Sequence, residues 1–272
     1  MKESERLPVE DREEDGRAAL DSQGLPAVPA IEARDLTKVF HDPRQGDLLA
    51  ASGVCFSCYP GEIFGLLGPN GAGKTTVLRM LSTVLRPTSG TARIAGRDVL
   101  EDPLGVRQSI GYLSASTGLY PRLTARETLE YFGSLHGLRG PALKDRVAQM
   151  LELFSLKDFC DVRCEKLSTG MKQKVSIART MVHDPSVLIL DEPTLGLDIL
   201  VASTMIRFVE ECRQRGKCIL FSTHIMSEVE KLCDRVAIIH RGTLRAVGSL
   251  PELRDLTGRT YIDDVFMSLV EA

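Results

Sequence analysis

The sequence has no long apolar run. No stretch approaches the ~18 to 20 residues that a membrane-spanning helix needs, and the N-terminus lacks the apolar core of a signal peptide. An excess of positive charge is also missing, because the net charge is −3 and the isoelectric point is near 6.0. This charge balance provides no electrostatic surface for nucleic acid. We therefore expect a protein that is soluble and cytoplasmic by itself, with no nucleic-acid partner.

Cysteine is scarce, with seven residues spread through a chain of 272. An odd number of scattered cysteines argues against a disulfide framework. The spacings of Cys55 and Cys58 and of Cys160 and Cys164 would suit zinc, but the first pair falls inside a strand-like run. Because free cysteine behaves as a small apolar residue, we expect these side chains to belong to the core rather than to a metal site.

The chain does have enough ordinary globular sequence to build a large core. Its 272 residues predict roughly one to two domains, with 43% hydrophobic and 26% charged residues. Residues 1–30 differ, since they are rich in Glu, Asp, Arg, Pro and Ala and have no sustained hydrophobic period. We expect a disordered N-terminal extension there, either a solvated tail or a segment that recognises a partner.

One glycine-rich stretch follows an apolar run at residues 63–67 and precedes a helix-like segment at 77–81. A strand, a glycine-rich turn and a helix N-terminus, with a spacing that ends in Gly-Lys-Thr, form the context of a P-loop. Glycines let successive N–H groups curl around phosphate oxygens, and the helix points its positive end at the same anion. The stretch consists of Gly68, Pro69, Asn70, Gly71, Ala72, Gly73, Lys74, Thr75 and Thr76.

Two side chains of this stretch carry the chemistry of a P-loop. Lys74 would reach the β- and γ-phosphates, and Thr75 would offer its hydroxyl to Mg²⁺. Glycine-rich turns before helices are common, but the full spacing seldom occurs by chance. We therefore predict that the chain binds a nucleotide together with Mg²⁺.

Two carboxylates follow a second apolar run, at residues 187–190, of the kind expected for a buried parallel strand. Ligands of open α/β sheets bind at the carboxyl ends of such strands, where Asp191 and Glu192 lie. Asp191 suits Mg²⁺ held through its water shell, and Glu192 suits a base that orients or deprotonates the attacking water. A strand at 218–222 delivers His224 to the same edge, for a γ-phosphate contact or a structural role.

The rest of the chain alternates between strands and helices. A capping box from Thr124 to Glu127 predicts one helix, and Pro141 opens a second, amphipathic one. These helices interrupt the strand pattern and predict a subdomain inserted into the α/β core. Short helices are expected from Ser249 onward. Further strands are predicted at residues 31–40, 49–58, 91–95, 110–113, 236–240 and 243–247.

Residues 167–171 form a small polar turn that opens a helix running to about Val182. From the residues alone, Ser168 or Thr169 would cap the helix by accepting backbone N–H bonds. A second phosphate-binding helix N-terminus is the alternative.

Together these motifs resemble the nucleotide-binding subunit of an ATP-binding-cassette (ABC) transporter over about residues 31–270. The resemblance implies the α/β class, with the P-loop NTPase core of an ABC ATPase, an antiparallel β subdomain and an inserted helical subdomain. The matching segments are the Walker A motif at 68–75, the family signature at 167–171, the Walker B strand with its catalytic glutamate at 187–192, the D-loop at 195–198 and the switch histidine at 224.

The resemblance also implies ATP and Mg²⁺ as cofactors and assigns further residues. Phe40 falls where the family places its adenine-stacking aromatic, although an isolated Phe at a strand end is more often part of the core, and Asp198 belongs to the D-loop. In the family two cassettes pair head to tail, so Ser168 and Gly170 would contact the γ-phosphate held by Lys74 of a second copy. A separate membrane permease is the implied partner, which would place this chain on the cytoplasmic face of the cell membrane.

The sequence departs from the family pattern at two positions. Ala115 stands where the Q-loop normally has a glutamine, and Thr169 stands where the signature normally has a glycine. Both departures, with residues 116–120 and 170–174, look like the NatA-type subunits of sodium exporters. The resemblance thus implies an ATP-hydrolysing subunit that powers export, with sodium as a candidate cargo. A non-transport or regulatory ABC ATPase with low turnover is the alternative.

Three parts are expected along the chain. The extension at 1–30 precedes an ABC ATPase domain at 31–247, whose helical subdomain covers about 116–182. A C-terminal helical segment follows at 248–272. Relatives that act on ribosomes or DNA usually carry tandem cassettes or basic surfaces, whereas this sequence has a single cassette and an acidic balance.

Overall fold

The computed structural model describes residues 28–42, 46–114 and 118–271. Almost all of the predicted N-terminal extension, and Ala115 at the Q-loop position, therefore lie outside the described residues. The strands within these ranges are β1 Ile31–Asp42, β2 Gly46–Cys58, β3 Ile63–Leu67, β4 Ser89–Ile94, β5 Arg97–Asp98, β6 Ile110–Ser114, β7 Val187–Asp191, β8 Cys218–Thr223, β9 Arg235–His240 and β10 Thr243–Gly248.

Nine α-helices occur within the same ranges. Most of them cover the faces of one sheet, so that its central strands are buried on both sides. The helices are α1 Lys74–Leu81, α2 Pro103–Ser109, α3 Ala125–Leu135, α4 Gly140–Leu153, α5 Thr169–Met181, α6 Ile199–Gln214, α7 Met226–Leu232, α8 Leu250–Thr257 and α9 Ile262–Glu271.

The larger sheet has six strands in the order β10-β9-β3-β8-β7-β6. Its central strands pair in parallel, and only the β9–β10 hairpin is antiparallel among the described pairs. Every residue of β3, β7 and β8 is buried, as the continuous apolar runs in their sequences predict. Since these strands run in the same direction, their carboxyl ends meet at one edge of the sheet. That edge carries the candidate site.

A second, four-stranded sheet has the order β2-β1-β4-β5 and is antiparallel throughout. Its buried face packs against β3 and α1, and the rings of Phe56 and Phe64 stack with their centroids 5.2 Å apart. The carbonyl oxygen of Ala50 in β2 lies against the backbone at Gly73, so this sheet also touches the glycine-rich turn. The predicted antiparallel β region is confirmed.

Helices α3 to α5 lie between β6 and β7 in the chain, as predicted. Thr124 and Glu127 form the expected capping box, and Pro141 lies in the first turn of α4. One face of α4 is buried, including Val147 and Met150. The α/β class with inserted helices is therefore confirmed, while the limits of the domains stay a prediction.

Three helices were not predicted from the sequence. Helix α2 begins after Asp102, whose side chain accepts a hydrogen bond from the N–H of Gly105 at 2.9 Å. Helix α6 follows Asp198, and the short α7 follows His224. Asp102 and Asp198 are N-cap signals that the sequence does contain, since an aspartate side chain readily accepts the first free N–H groups of a helix.

The prediction that the paired cysteines are core residues is wrong for Cys55. Cys58, Cys160 and Cys164 are buried, but Cys55 is exposed and its thiol lies 3.2 Å from a carboxylate oxygen of Asp35. Positions three apart on a strand point to opposite faces, so Cys55 and Cys58 cannot both face the core.

None of the described helices is long and apolar enough to cross a membrane. Within the same ranges, no group of three or more His, Cys, Asp or Glu side chains could hold a metal ion.

Candidate active site

The glycine-rich turn is built by close backbone packing. The N–H of Gly68 donates to the carbonyl of Thr223 at 3.3 Å, and a Cβ atom at Gly68 would collide with the carbonyl oxygen of Ile239. Gly73 has φ of +105°, a left-handed conformation that favours glycine, and a Cβ there would collide with Ala50. Gly68 is therefore needed because there is no room for a side chain, and Gly73 is needed also because of its left-handed backbone.

The tip of the turn is open to solvent. Asn70 and Gly71 are exposed, whereas Ala72 is buried and its carbonyl accepts a hydrogen bond from Gly242 at 2.8 Å. Pro69 accepts from the N–H of Ala72 at 3.2 Å, which closes the turn. The turn thus leads directly into helix α1, whose first turn contains no acidic residue and includes Thr75 and Thr76. A helix N-terminus that directly follows an open turn of this kind favours an anion.

Lys74 is almost fully buried, with 4% of its surface exposed. Its Nζ donates to the carbonyl oxygens of Gly68 at 2.7 Å and Pro69 at 3.2 Å, and lies 2.9 Å from Oε1 of Glu192. The ammonium group is therefore held at the base of the turn by two carbonyls and one carboxylate. This arrangement fixes the positive charge of Lys74 beside the N-terminus of α1.

Asp191 ends β7 as a buried carboxylate, with 5% of its surface exposed. Its Oδ1 accepts hydrogen bonds from the hydroxyls of Ser222 at 2.9 Å and Thr75 at 3.2 Å. The strand register places Ser222 opposite Asp191, so the sheet itself sets the first of these contacts. A carboxylate and a hydroxyl side by side are the hard oxygen ligands that suit Mg²⁺, so Asp191 and Thr75 fit the cofactor predicted for them.

Glu192 follows in a left-handed backbone conformation, with φ of +47°. Its N–H lies 3.2 Å from the carbonyl oxygen of Ser222 and 3.1 Å from the hydroxyl oxygen of the same residue. Its Oε2 lies 3.4 Å from Nδ1 of His224. Burial raises the pKa of Glu192, but Lys74 and His224 outweigh burial and hold the pKa below its usual value. A left-handed backbone conformation is strained for glutamate, and it persists only where the surrounding contacts fix it.

These contacts bring together most of the residues predicted for phosphate chemistry. We call the group the edge cluster, because it occupies the carboxyl edge of the larger sheet. The edge cluster consists of Lys74, Thr75, Asp191, Glu192, Ser222 and His224.

The signature residues lie apart from the edge cluster within one chain. Ser168 is exposed and caps α5 by accepting from the N–H of Met171 at 3.3 Å, as predicted. Gly170 packs near Val201, since a Cβ there would lie 3.0 Å from a Val201 methyl carbon. Among the contacts of the described residues, none joins Ser168 or Gly170 to Lys74. A single chain therefore does not form the γ-phosphate contact that the family resemblance implies.

Two other predicted residues are exposed. Phe40 is 40% exposed and pairs with Leu48 across the β1–β2 ladder, two residues from the Ala50 carbonyl that lies against the turn. Asp198 caps α6, since its carboxylate accepts from the N–H of Val201 at 2.9 Å. Beside it, Ile199 is 84% exposed. Phe40 is thus not part of the core, which was the alternative to its predicted role in adenine stacking; that role stays a prediction, and the face around Asp198 is exposed.

Sequence reasoning missed a buried acidic residue next to the edge cluster. Glu228 is 7% exposed and accepts hydrogen bonds from the hydroxyls of Thr194 at 2.6 Å and Thr223 at 2.5 Å. A glutamate near the start of a helix is common, so its identity alone gives no signal. Its position four residues after His224 is the one sequence feature that could have drawn attention to it.

A cavity of about 470 Å³ opens beside the edge cluster, on the side of β6. The rings of His136 and His183 stack there, with centroids 3.5 Å apart and an interplanar angle of 6°. Burial lowers the pKa of His183 to about 4, and the neighbouring His136 adds to this effect. We call this region the histidine cleft. It is lined by Arg79, Ser82, Val84, Arg107, Ile110, Tyr112, Ser114, Phe132, His136, Arg179, Thr180 and His183.

Comparisons with known proteins agree on one family. The model of the family described as ABC transporter matches residues 51–195. The ABC transporter ATP-binding protein NatA of Bacillus subtilis (strain 168) is 40% identical over 239 residues, which cover 88% of this chain and 97% of that protein. The Nod factor export ATP-binding protein I of Burkholderia orbicola (strain AU 1054) is 40% identical over 82% of this chain and 72% of its own. A solved ATP-binding subunit of an ABC transporter is 30% identical, with a TM-score of 0.78 and coverage of 88% and 99%.

Proposed function

This chain belongs to the ABC transporter family as an ATP-binding subunit, and we propose that it hydrolyses ATP with Mg²⁺ to drive a membrane permease that is a separate chain. The observation that carries the proposal is the meeting of Lys74, Asp191 and Glu192 at one sheet edge, with Thr75 against Asp191. These side chains come from two distant parts of the sequence. The parallel sheet brings them together at one edge, which supports a common site for one polyphosphate.

Phosphate binding uses the turn, the start of α1 and Lys74. The exposed N–H groups at the tip and the helix N-terminus attract the anion, and the γ-phosphate competes with Glu192 for the ammonium of Lys74. Thr75 and Asp191 would hold Mg²⁺, which neutralises phosphate charge and orients the leaving group. Release of Glu192 from Lys74 leaves its carboxylate beside His224.

Water activation is the role of Glu192. A glutamate side chain, with its usual pKa of 4.5, is ionised at neutral pH, so Glu192 can accept a hydrogen bond from the attacking water and orient it for in-line attack. His224, with Nδ1 3.4 Å from Glu192, steadies the γ-phosphate. Phe40, exposed beside the turn, stacks on the adenine.

The complete site needs a second copy of this chain. Ser168 and Gly170 would contact the γ-phosphate from across a head-to-tail dimer, because no contact among the described residues of one chain joins them to Lys74. The exposed position of Ser168 and the partly exposed position of Gly170, with Asp198 and Ile199 also exposed, support this arrangement. Head-to-tail pairing of identical copies gives two equivalent sites related by two-fold symmetry.

Export is the direction that we propose, on the cytoplasmic face of the cell membrane. The relative from Burkholderia is named for Nod factor export, and residues 115–120 and 170–174 resemble the NatA type of sodium exporters. Sodium is therefore the first cargo to test. The permease rather than this chain would select it.

ATP hydrolysis by the purified chain, alone and with its permease, tests the proposal. We expect Glu192→Gln to lower turnover by about 10²- to 10⁴-fold, the usual contribution of a positioned base, while ATP still binds. Glu230→Gln is the matched control, because Glu230 is an exposed glutamate paired with Arg254 at 2.9 Å. Unchanged turnover in Glu192→Gln would contradict the role of Glu192. Binding without turnover in the wild type would favour a regulatory ATPase with low turnover.

A further inference from the structure

Glu228 is a buried carboxylate that two hydroxyl groups hold in place. Its Oε1 accepts from Thr194 at 2.6 Å and its Oε2 from Thr223 at 2.5 Å, and both threonines are themselves buried. Within residues 28–42, 46–114 and 118–271, no lysine, arginine or histidine makes an ion pair with it. Because burying a carboxylate without a cation is unfavourable, a purely structural role would be served better by an apolar residue.

Each of the two threonines lies close in sequence to one reactive side chain, Thr194 in the turn after β7 and Thr223 as the last residue of β8. Thr194 follows Glu192 by two residues, and Thr223 directly precedes His224. The hydroxyl of Thr223 also accepts from the N–H of Ile225 at 3.0 Å, which fixes the backbone on both sides of His224. Glu228 therefore links the loop of Glu192 to the segment of His224 through one carboxylate. We call this set of contacts, formed by Thr194, Glu228 and Thr223, the Glu228 bridge.

The loop that carries Glu192 also contacts α5, the helix that begins at the signature. Nε2 of Gln173 in α5 donates to the carbonyl oxygen of Pro193 at 3.0 Å, between Glu192 and Thr194. A displacement of the loop that carries Glu192 would therefore change its contact with Gln173 as well as its contact with Glu228. This matters most for Glu192, because its left-handed backbone, with φ of +47°, persists only where neighbouring contacts fix it.

We propose that Glu228 is a positioning residue for ATP hydrolysis, which holds Glu192 and His224 at the separation that in-line attack requires. This inference rests on the proposed function. Glu228 itself touches neither phosphate nor water in this role, so it acts through the two threonines. Small displacements of reacting groups reduce turnover strongly while leaving substrate binding nearly intact.

The test compares Glu228→Gln and Glu228→Ala with Glu230→Gln, a substitution on the same helix that leaves the bridge intact. We expect kcat to fall by about 10- to 100-fold in both Glu228 variants, with the KM for ATP and the affinity for a fluorescent ATP analogue within about threefold of the wild type. If Glu228 had only a structural role, its substitution would instead lower the unfolding temperature and would raise KM and lower kcat together. Equal kcat in Glu228→Gln and the wild type would overturn the proposal.

A second pair of variants keeps the test decisive if the Glu228 variants fold poorly. Thr223→Val removes the hydroxyl and should lower kcat in the same way, whereas Thr223→Ser keeps the hydroxyl and should restore it. In the background of Glu192→Gln, Glu228→Gln should lower the residual turnover less than it lowers the turnover of the wild type, because one of the two groups that it positions is already gone. Loss of a similar size in that background would overturn the proposal.

Failure of this inference can be told apart from failure of the proposed function. If the wild type hydrolyses no ATP under any condition, the proposed function fails. If the wild type and Glu230→Gln hydrolyse ATP, Glu192→Gln does not, and Glu228→Gln matches the wild type, only the inference about Glu228 fails.

Discussion

The histidine cleft opens beside the edge cluster on the side of β6, and the two regions accommodate buried polar groups in opposite ways. In the edge cluster, the positive charge of Lys74 meets the negative charge of Glu192 at 2.9 Å. In the cleft, the lining residues include three arginines and two histidines but no aspartate or glutamate. One region balances its charges, and the other keeps its histidines neutral.

Arg179 shows how the cleft manages a buried cation without a carboxylate. It is 6% exposed, donates to the carbonyl of Gly118 at 3.2 Å and lies over the ring of Phe132 at 5.1 Å. Burial lowers its pKa. A buried charge that is balanced by an opposite charge stays ionised near pH 7 and can take part in a reaction. Burial of a basic group without such a partner lowers its pKa instead, which makes the stability of the region sensitive to acid.

The largest difference between the two regions should appear in turnover. Lys74→Ala removes the cation that we propose neutralises the γ-phosphate, and we expect hydrolysis to fall by about 10²- to 10³-fold, as when a preorganised electrostatic group is lost. His183→Gln alters the cleft instead and should leave turnover within about threefold. Steady-state ATPase assays at pH 7.5 measure both. Similar losses in the two variants would mean that the cleft takes part in the chemistry.

A single added methyl group should separate the regions by stability. Gly68→Ala places a Cβ against the carbonyl oxygen of Ile239, so the tightly packed backbone must shift, and we expect the free energy of unfolding to fall by about 2 to 3 kcal/mol. Val84→Ile adds the same methyl at the rim of the cleft, where Val84 is 64% exposed, and should cost less than about 0.5 kcal/mol. Denaturant titration decides between them. Equal effects would show that the turn has more room than its contacts indicate.

The sequence predicted the edge cluster better than the cleft for a physical reason. The glycine-rich turn is one continuous segment, and so is the acidic pair Asp191 and Glu192 at the end of β7. Their local patterns predict the chemistry, so Lys74 and Asp191 could be named before the fold was known. The parallel sheet was needed only to bring them together.

The cleft and the Glu228 bridge could not be predicted in this way. The rings of His136 and His183 come from the end of α3 and the end of α5, and neither has a local pattern that points to the other. The same holds for Thr194 and Glu228, which meet only after β7 and β8 pair. The alternation of Cys55 and Cys58 is the opposite case, since strand periodicity alone would have placed Cys55 on the outer face.

The smallest expected effect is a pH dependence that belongs to the cleft. His183 has a folded pKa of about 4 against an ordinary value of 6.5, so the unfolded chain takes up a proton first as the pH falls. Stability should therefore decrease between pH 6.5 and pH 4, by roughly 2 kcal/mol for a ring that is not fully buried. The contribution of Glu192, whose folded pKa is also lowered, is lost only at a pH below its usual value of 4.5.

These two windows allow the regions to be separated by one variant. Glutamine cannot take up a proton, so His183→Gln should flatten the loss of stability between pH 6.5 and pH 4.5 and leave the steeper loss at lower pH unchanged. Thermal unfolding at half-unit steps of pH, for the wild type and the variant, measures both windows. If the variant loses stability over the upper window as steeply as the wild type, another group titrates there, and the neutral state of His183 does not set the acid sensitivity of the cleft.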